Sequence, residues 1–204
     1  MNTVRLARPI RTFVAVELPA AVQAALGTLQ EALAAAALPV RLSALTGLHL
    51  TLAFIGDIPA ARVADLTAAV RVGCAGIAPF ALQAAGLGMF PHARAPRVVW
   101  AGVGGDPAAL AALQQLHSGI HRALAATDFP ADREFNFTPH LTLARVREGS
   151  AAAERARIGP AVQALSLAPA PFPVAVVSIM QSDVRSGGPV YTALDHIPLT
   201  GGMA

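Results

Sequence analysis

The chain contains no lysine. All fifteen of its basic side chains are arginines, set against twelve carboxylates, for a formal net charge of +3. Composition bias accounts for the choice, but the consequence is chemical: guanidinium groups give a mildly positive surface suited to phosphate. A charge this small permits a nucleic-acid partner without demanding one. There is one cysteine, Cys74. That excludes an internal disulfide, and its isolation argues against a thiolate metal centre. Aromatic residues are scarce at 5%, with one tryptophan and one tyrosine. Charged residues are only 13% against 54% hydrophobic, yet much of the apolar count is alanine. No run approaches the ~18 uninterrupted apolar residues of a spanning helix. The apolar segment after Arg5, Arg8 and Arg11 is cut by Glu17 and Pro19, too early for a signal peptide. These absences read as a soluble cytoplasmic protein with no membrane partner.

What the chain has instead is a word written twice. Residues 49–52 read HLTL, and residues 140–143 read HLTL again, half a chain apart. A repeat at that spacing points to two related halves of one globule. Around the words, apolar patterning gives strands at 12–18, 48–55, 80–90, 97–103, 140–146, 172–180 and 190–194. Helices fall at about 19–38, 59–72, 106–126 and 150–165. Asp106-Pro107 opens the third of these with a cap and a first-turn proline, and Gly159-Pro160 is placed to cut the fourth short. A polar stretch at 128–136 precedes the second word, and Gly and Pro at 185–189 make a turn. Such short, hairpin-like junctions exclude a purely parallel sheet. The fold class is α+β, with antiparallel strands and helices outside.

On a strand, alternate side chains face opposite sides. Leu48, Leu50 and Leu52 therefore share one face with the core, as do Leu141 and Leu143. His49 and Thr51, and His140 and Thr142, share the other. If the halves face one another, two imidazoles and two hydroxyls converge on one cleft. Such a quartet suits phosphate chemistry without a metal. One imidazole can give a proton while the other takes one, and the hydroxyls can hold non-bridging oxygens as charge builds on them. A single His-x-Thr on a strand is more often a structural hydrogen bond; the matched pair outweighs that reading.

These words and their flanks resemble a known family. Paired H-x-T-x words are the signature of the 2H phosphoesterases. The segments at 11–19 (RTFVAVELP), 49–56 (HLTLAFIG), 96–103 (PRVVWAGV), 137–145 (FTPHLTLAR) and 187–194 (GGPVYTAL) are similar to the bacterial and archaeal RNA 2′,3′-cyclic phosphodiesterase branch, historically called 2′-5′ RNA ligases. The chain departs from that pattern with Arg41-Leu42 and Gly47-Leu48-His49, where the family usually has a Trp and Asn-Leu-His. It departs again with Gln181-Ser182, where a Glu-Ser pair is common.

The resemblance implies one bilobal domain over 1–204, with two antiparallel sheets related by a pseudo-two-fold axis, helices outside and a central cleft. It implies hydrolysis of RNA 2′,3′-cyclic phosphate ends to 2′-phosphate ends by a monomer with no metal or cofactor. His49 would be the proton donor, His140 the proton acceptor, and Thr51 and Thr142 the phosphate holders. Symmetry alone does not choose between the histidines. Arg145 and Phe13 are candidate substrate-binding residues. Phe13 would stack a base. Arg145, three residues past Thr142, needs a bulge to reach the phosphate side. The substrate is tRNA fragments, general RNA ends or small cyclic nucleotides. Rival readings are a 2′-5′ ligase or 2′-5′ phosphodiesterase, and a non-catalytic module that binds RNA or nucleotides.

Other histidines carry less. His117 and His121 have metal-ligand spacing on a helix but no zincin glutamate between them, and a solvated helix face is expected. His92 lies in a loop, and His196 has no identifiable partner. Residues 102–105 (GVGG) do not make a P-loop.

Overall fold

Two strands meet at the centre of the molecule, and the chain's two repeats lie on them. In a computed structural model describing residues 8–129, 137–186 and 188–202, β3 (His49–Ile58) and β6 (His140–Val146) run antiparallel and pair through Leu50 and Leu141. Each leucine is the second residue of its word. A local two-fold relation therefore passes between them.

From this seam the sheet extends both ways. On one side β3 pairs with β1 (Ile10–Glu17), then β8 (Val176–Arg185), then β9 (Gly188–Pro198). On the other side β6 pairs with β5 (Val98–Gly104), then β4 (Phe80–Phe90), then β7 (Ala170–Val174). The two expected sheets are thus the halves of one continuous antiparallel sheet, joined at the seam. A short strand, β2 (Val40–Leu42), also pairs with β6. The half around β6 takes β4 to β7 in succession, but the half around β3 is not a continuous piece of chain. β4 follows β3 in sequence but lies beside β5, and β8 follows β7 but crosses to β1.

The helices are α1 (Ala20–Ala35), α2 (Val63–Cys74), α3 (Pro107–Ala125), α4 (Ala152–Ala156) and α5 (Ile158–Gln163). Their apolar stripes cover one face of the sheet. Leu26 of α1, Leu66 and Val70 of α2, and Leu113, Leu116 and Ile120 of α3 pack with Leu50, Leu52, Leu141 and Leu143 in one cluster. Each such leucine gains ~1.5–3 kcal/mol from leaving water. Cys74 belongs to this core, and burial pushes its thiol up to about 11, so it stays protonated. No helix among the described residues is long and apolar enough to cross a membrane.

The elements differ from the sequence pattern in four places. β2 is too short for alternation to show. The apolar run at 172–180 is two strands, because the chain changes halves at Ala175. Pro171 and Pro173 fit because β7 is an edge strand and they share one parity along it. The helix expected at 150–165 breaks at Arg157, ahead of Gly159-Pro160. Pro160 has no N–H for the carbonyl four residues back, so the break falls a turn before the proline. The last strand runs on to Pro198 as the partner of β8. Residues 130–136 of the polar stretch, Gly187 of the turn, and Arg5 lie outside the described residues.

α2 and α3 touch backbone to backbone at Gly73 and Gly119. A Cβ on Gly73 would lie 2.6 Å from the Ile120 Cα, and one on Gly119 would be driven into the Gly73 carbonyl oxygen. Helix propensity alone would make Gly119→Ala stabilising by up to ~1 kcal/mol. The clash reverses the sign, at a cost of about 1–3 kcal/mol. Thermal melting should show a Tm lower by several degrees; a raised Tm would mean the helices separate without penalty.

Candidate active site

The open face of the sheet carries a cleft of about 400 Å³, centred on the seam. His49, Thr51, His140 and Thr142 all line it. The leucines between them are fully buried on the opposite face. Strand alternation therefore sorts each word as its sequence requires.

The two imidazoles are held alike. His49 Nδ1 lies 2.7 Å from the Gly47 carbonyl oxygen, and His140 Nδ1 lies 2.8 Å from that of Thr138. A carbonyl can only accept, so each Nδ1 carries the proton and donates it. Each Nε2 is left as the reactive nitrogen, an acceptor in the neutral ring and a donor in the cation. Aromatic rings brace both. Tyr191 meets His49 edge-on at 5.0 Å, with Phe13 at 4.7 Å on another side. Phe90 meets His140 edge-on at 4.9 Å, with Trp100 at 6.3 Å. The chain's one tryptophan and one tyrosine are thus both placed here.

Burial lowers the pKa of His49 below the ordinary imidazole value, and the neighbouring His140 and Arg145 lower it further. The Gly47 hydrogen bond and Glu17 act the other way. Burial also raises the Tyr191 phenol, against the pull of Arg145, Arg11 and Arg41. Those three arginines line the cleft, and among the described residues no carboxylate does. The cleft is built for an anion.

Arg145 reaches it through a bulge. Between β5 and β6, Val99 faces Ala144 but Trp100 faces Thr142, so Leu143 is an extra residue. The side-chain parity flips, and Arg145 turns to the cleft. The same irregularity occurs in β3, where Val14 faces Ala53 but Ala15 faces Thr51. Leu52 is the extra residue there, and Phe54 is brought to the cleft at the position matching Arg145.

A bulge leaves backbone groups without ladder partners, and inside a core that is costly. Helix side chains reach both bulge carbonyls, and that of Leu143 also accepts the Ser43 N–H at 2.9 Å. Gln30 of α1 donates to the Leu143 oxygen at 2.8 Å, and His121 Nε2 of α3 donates to the Leu52 oxygen at 3.0 Å. Each helix caps the bulge of the opposite half.

Of the residues singled out by sequence, His49, His140, Thr51, Thr142, Arg145 and Phe13 come together. Phe13 is only 2% exposed and backs the His49 ring. The exposed aromatic face in the cleft is Phe54, which is 42% exposed. Sequence reasoning missed Phe54, Tyr191, Phe90, Arg11 and Arg41. For Tyr191 and Trp100 the signal was rarity; for Arg41 there was none, since β2 was not foreseen.

The pair on α3 is a correction. His117 and His121 do not form a solvated face. His117 is 4% exposed and stacks on Phe137 at 3.9 Å, its Nε2 without a partner among the described residues. The helix turns that side inward, where His121 meets the backbone of β3. His92 is exposed and outside the cleft. His196 does have partners, Ser178 and Glu17.

Among known proteins, residues 18–185 match the family described as the 2′-5′ RNA ligase superfamily. An RNA 2′,3′-cyclic phosphodiesterase of Methanothermobacter thermautotrophicus is 28% identical over 186 residues, covering 91% of this chain and 97% of the relative. Another, from Geobacillus stearothermophilus, is 35% identical over 153 residues, 75% of this chain. The match spans only 46% of that longer relative. The crystal structure of TT0787 from Thermus thermophilus superposes with a TM-score of 0.71 at 30% identity, covering 95% of this chain and all of that one.

Two outcomes test this account of the site. Gln30→Leu takes a donor from two carbonyls, that of Ser43 and that of Leu143, which keeps the Ser43 N–H; the lost hydrogen bonds should cost about 0.5–1.5 kcal/mol in denaturant unfolding, and an unchanged midpoint would mean the bulge needs no support from α1. His117 bears on acid stability, because burial pushes it down to about 4 in the fold. In the unfolded chain it titrates near 6.5. Between those values the unfolded state binds the extra proton, so stability is full above about 6.5 and is lost as pH falls toward 4. His117→Phe should flatten that loss in Tm measured from pH 7 to 4.5. An identical slope would place the acid sensitivity elsewhere.

Proposed function

Because the chain belongs to the 2′-5′ RNA ligase superfamily, we propose that it hydrolyses RNA ends bearing a 2′,3′-cyclic phosphate to 2′-phosphate ends. The observation that carries this is the matched pair of imidazoles, each with Nδ1–H held by a backbone carbonyl, on one cleft lined by arginines.

In this reading the phosphate sits between the two words. Thr51 and Thr142 donate to its non-bridging oxygens, and Arg145 neutralises the charge that builds there. Water attacks phosphorus, and His140 Nε2 takes its proton. The P–O3′ bond breaks, and His49 Nε2–H delivers a proton to O3′. The products are a 2′-phosphomonoester and a free 3′-hydroxyl. The bound anion matters to His49, since its negative charge offsets the repulsion from His140 and Arg145 and favours the imidazolium. Acid, base and countercharge all come from side chains, so no metal is called for. Phe54 offers the base a stacking face, with Phe13 behind His49. The described halves act as one bilobal unit, a monomer working on RNA ends in the cytoplasm.

The test is an oligoribonucleotide ending in a 2′,3′-cyclic phosphate, incubated with the protein and a chelator. Release of a 2′-phosphate end supports the reading. Binding without turnover would sink it in favour of a recognition module, and joined products would favour the ligase. His49→Ala and His140→Ala should each lose about 10²–10⁴-fold in rate. Thr51→Val and Thr142→Val should each lose about 10²-fold. A near-wild-type rate in either histidine variant would disprove the two-imidazole mechanism.

A further inference from the structure

The seam is symmetric, but the strands flanking it are not. Opposite His49 on the neighbouring strand β1 stands Glu17. Opposite His140 on β5, at the matching place, stands Gly102. One imidazole has a carboxylate beside it, and the other has a bare backbone.

Glu17 is half-exposed, but it is not loose. It follows Phe13 and Ala15 along the cleft-side face of β1, and a polar group fixes it. Ser178 Oγ donates to Glu17 Oε1 at 2.6 Å. Ser178 is 1% exposed and lies in the ladder between β1 and β9, opposite Ala15 and His196. The His196 Nδ1 is 3.0 Å from the same Oγ. A serine has one proton, and here it goes to Glu17, so His196 Nδ1–H must donate to the serine. The chain of donation runs from His196 to Ser178 to Glu17. The His196 Nδ1 is also 3.7 Å from the Glu17 carboxylate. A buried serine whose proton is committed to a carboxylate is no nucleophile, so this Ser-His-Glu group is a brace.

We propose that Glu17, held by Ser178 and His196, is a positioning residue that favours the cationic form of His49 and so makes His49, and not His140, the proton donor. The proposal rests on the phosphodiesterase reading for the meaning of "donor". The coupling between Glu17 and His49 does not depend on it. The charged and titratable groups facing His49 are Glu17 from β1, His140 and Arg145 from β6, and Tyr191 from β9. Glu17 is the only one of these that favours the cation at neutral pH. Removing it leaves burial, His140 and Arg145 unopposed except by the Gly47 carbonyl.

The test is histidine-labelled NMR titration of the full chain, with the His49 signal assigned by its loss in His49→Gln. In Glu17→Gln the His49 midpoint should fall by about 0.3 pH unit, a screened effect from a half-exposed carboxylate, while that of His140 moves less. Ser178→Ala keeps the carboxylate but frees it, and should move His49 the same way by less. That variant keeps the test open if Glu17→Gln folds poorly. An unmoved His49 in both variants, or equal movement of His140, overturns the proposal. This arm needs no substrate, so it succeeds or fails apart from the phosphodiesterase reading. The second arm is the pH profile of kcat/KM on the cyclic-phosphate oligonucleotide. Glu17→Gln should shift the alkaline limb, which reports the acid, downward by the same amount. A shift of the acidic limb instead would make His49 the base and reverse the assignment.

Discussion

Everything at the site depends on one backbone pairing, Leu50 with Leu141. Antiparallel pairing of equivalent residues creates a local two-fold axis. It sets His49 opposite Thr142 and Thr51 opposite His140, with the two histidines on one diagonal and the two threonines on the other, on whichever face the leucines leave free. The leucines are committed to the helix-covered core, fully buried. A slip of one residue would turn both leucines out and both histidines in. The hydrophobic effect thus fixes the register, and the register fixes the cleft. The chain passes from one half to the other before β4 and back before β8, so the two halves share one sheet and one core.

The second constraint is the bulge after each word. It is a defect in the ladder, and it exposes a carbonyl inside the core. His121 from α3, and Gln30 from α1 together with the Ser43 N–H, lower that cost by donating to these carbonyls. In return the strand changes parity and presents Phe54 on one side of the axis and Arg145 on the other. A regular strand could have offered only alternate positions and would have turned both toward the helix-covered face. The helices are therefore more than cover for the core, since each fixes the geometry of a strand it does not directly follow.

Much of this was legible in the sequence, and the limits have physical causes. Alternation in HLTL gives the face of every quartet residue, because a period of two is robust wherever one face is buried. The α+β class followed from short junctions. The bulges did not show, since Leu52-Ala53 and Leu143-Ala144 read as ordinary apolar strand. Their need was visible only through Arg145, stranded on the wrong parity. β2 was hidden by its length, and the change of halves at Ala175 by a run that stays apolar across it. His117 and His121 were misplaced because helical spacing gives a face but not what the face meets. His196 looked idle because its partners, Ser178 and Glu17, are distant in sequence and meet only through β8 and β1.

A two-fold scaffold supplies two equivalent imidazoles, but hydrolysis needs one to give a proton and one to take it. The symmetry has to be broken by something other than the words themselves, which are identical. Three breaks are visible: Phe54 opposite the place of Arg145, Tyr191 edge-on to His49 where Phe90 serves His140, and Glu17 where the other half has Gly102. The first separates an aromatic side from a charged side and so orients an asymmetric substrate. The second places a hydroxyl near one histidine only. The third puts a negative charge beside one imidazole, the sign that favours its cation, where Arg145 acts the other way, and charge is what distinguishes an acid from a base at the same pH. The repeat provides the pair, and in the proposed reaction the divergence of its flanking strands assigns the roles.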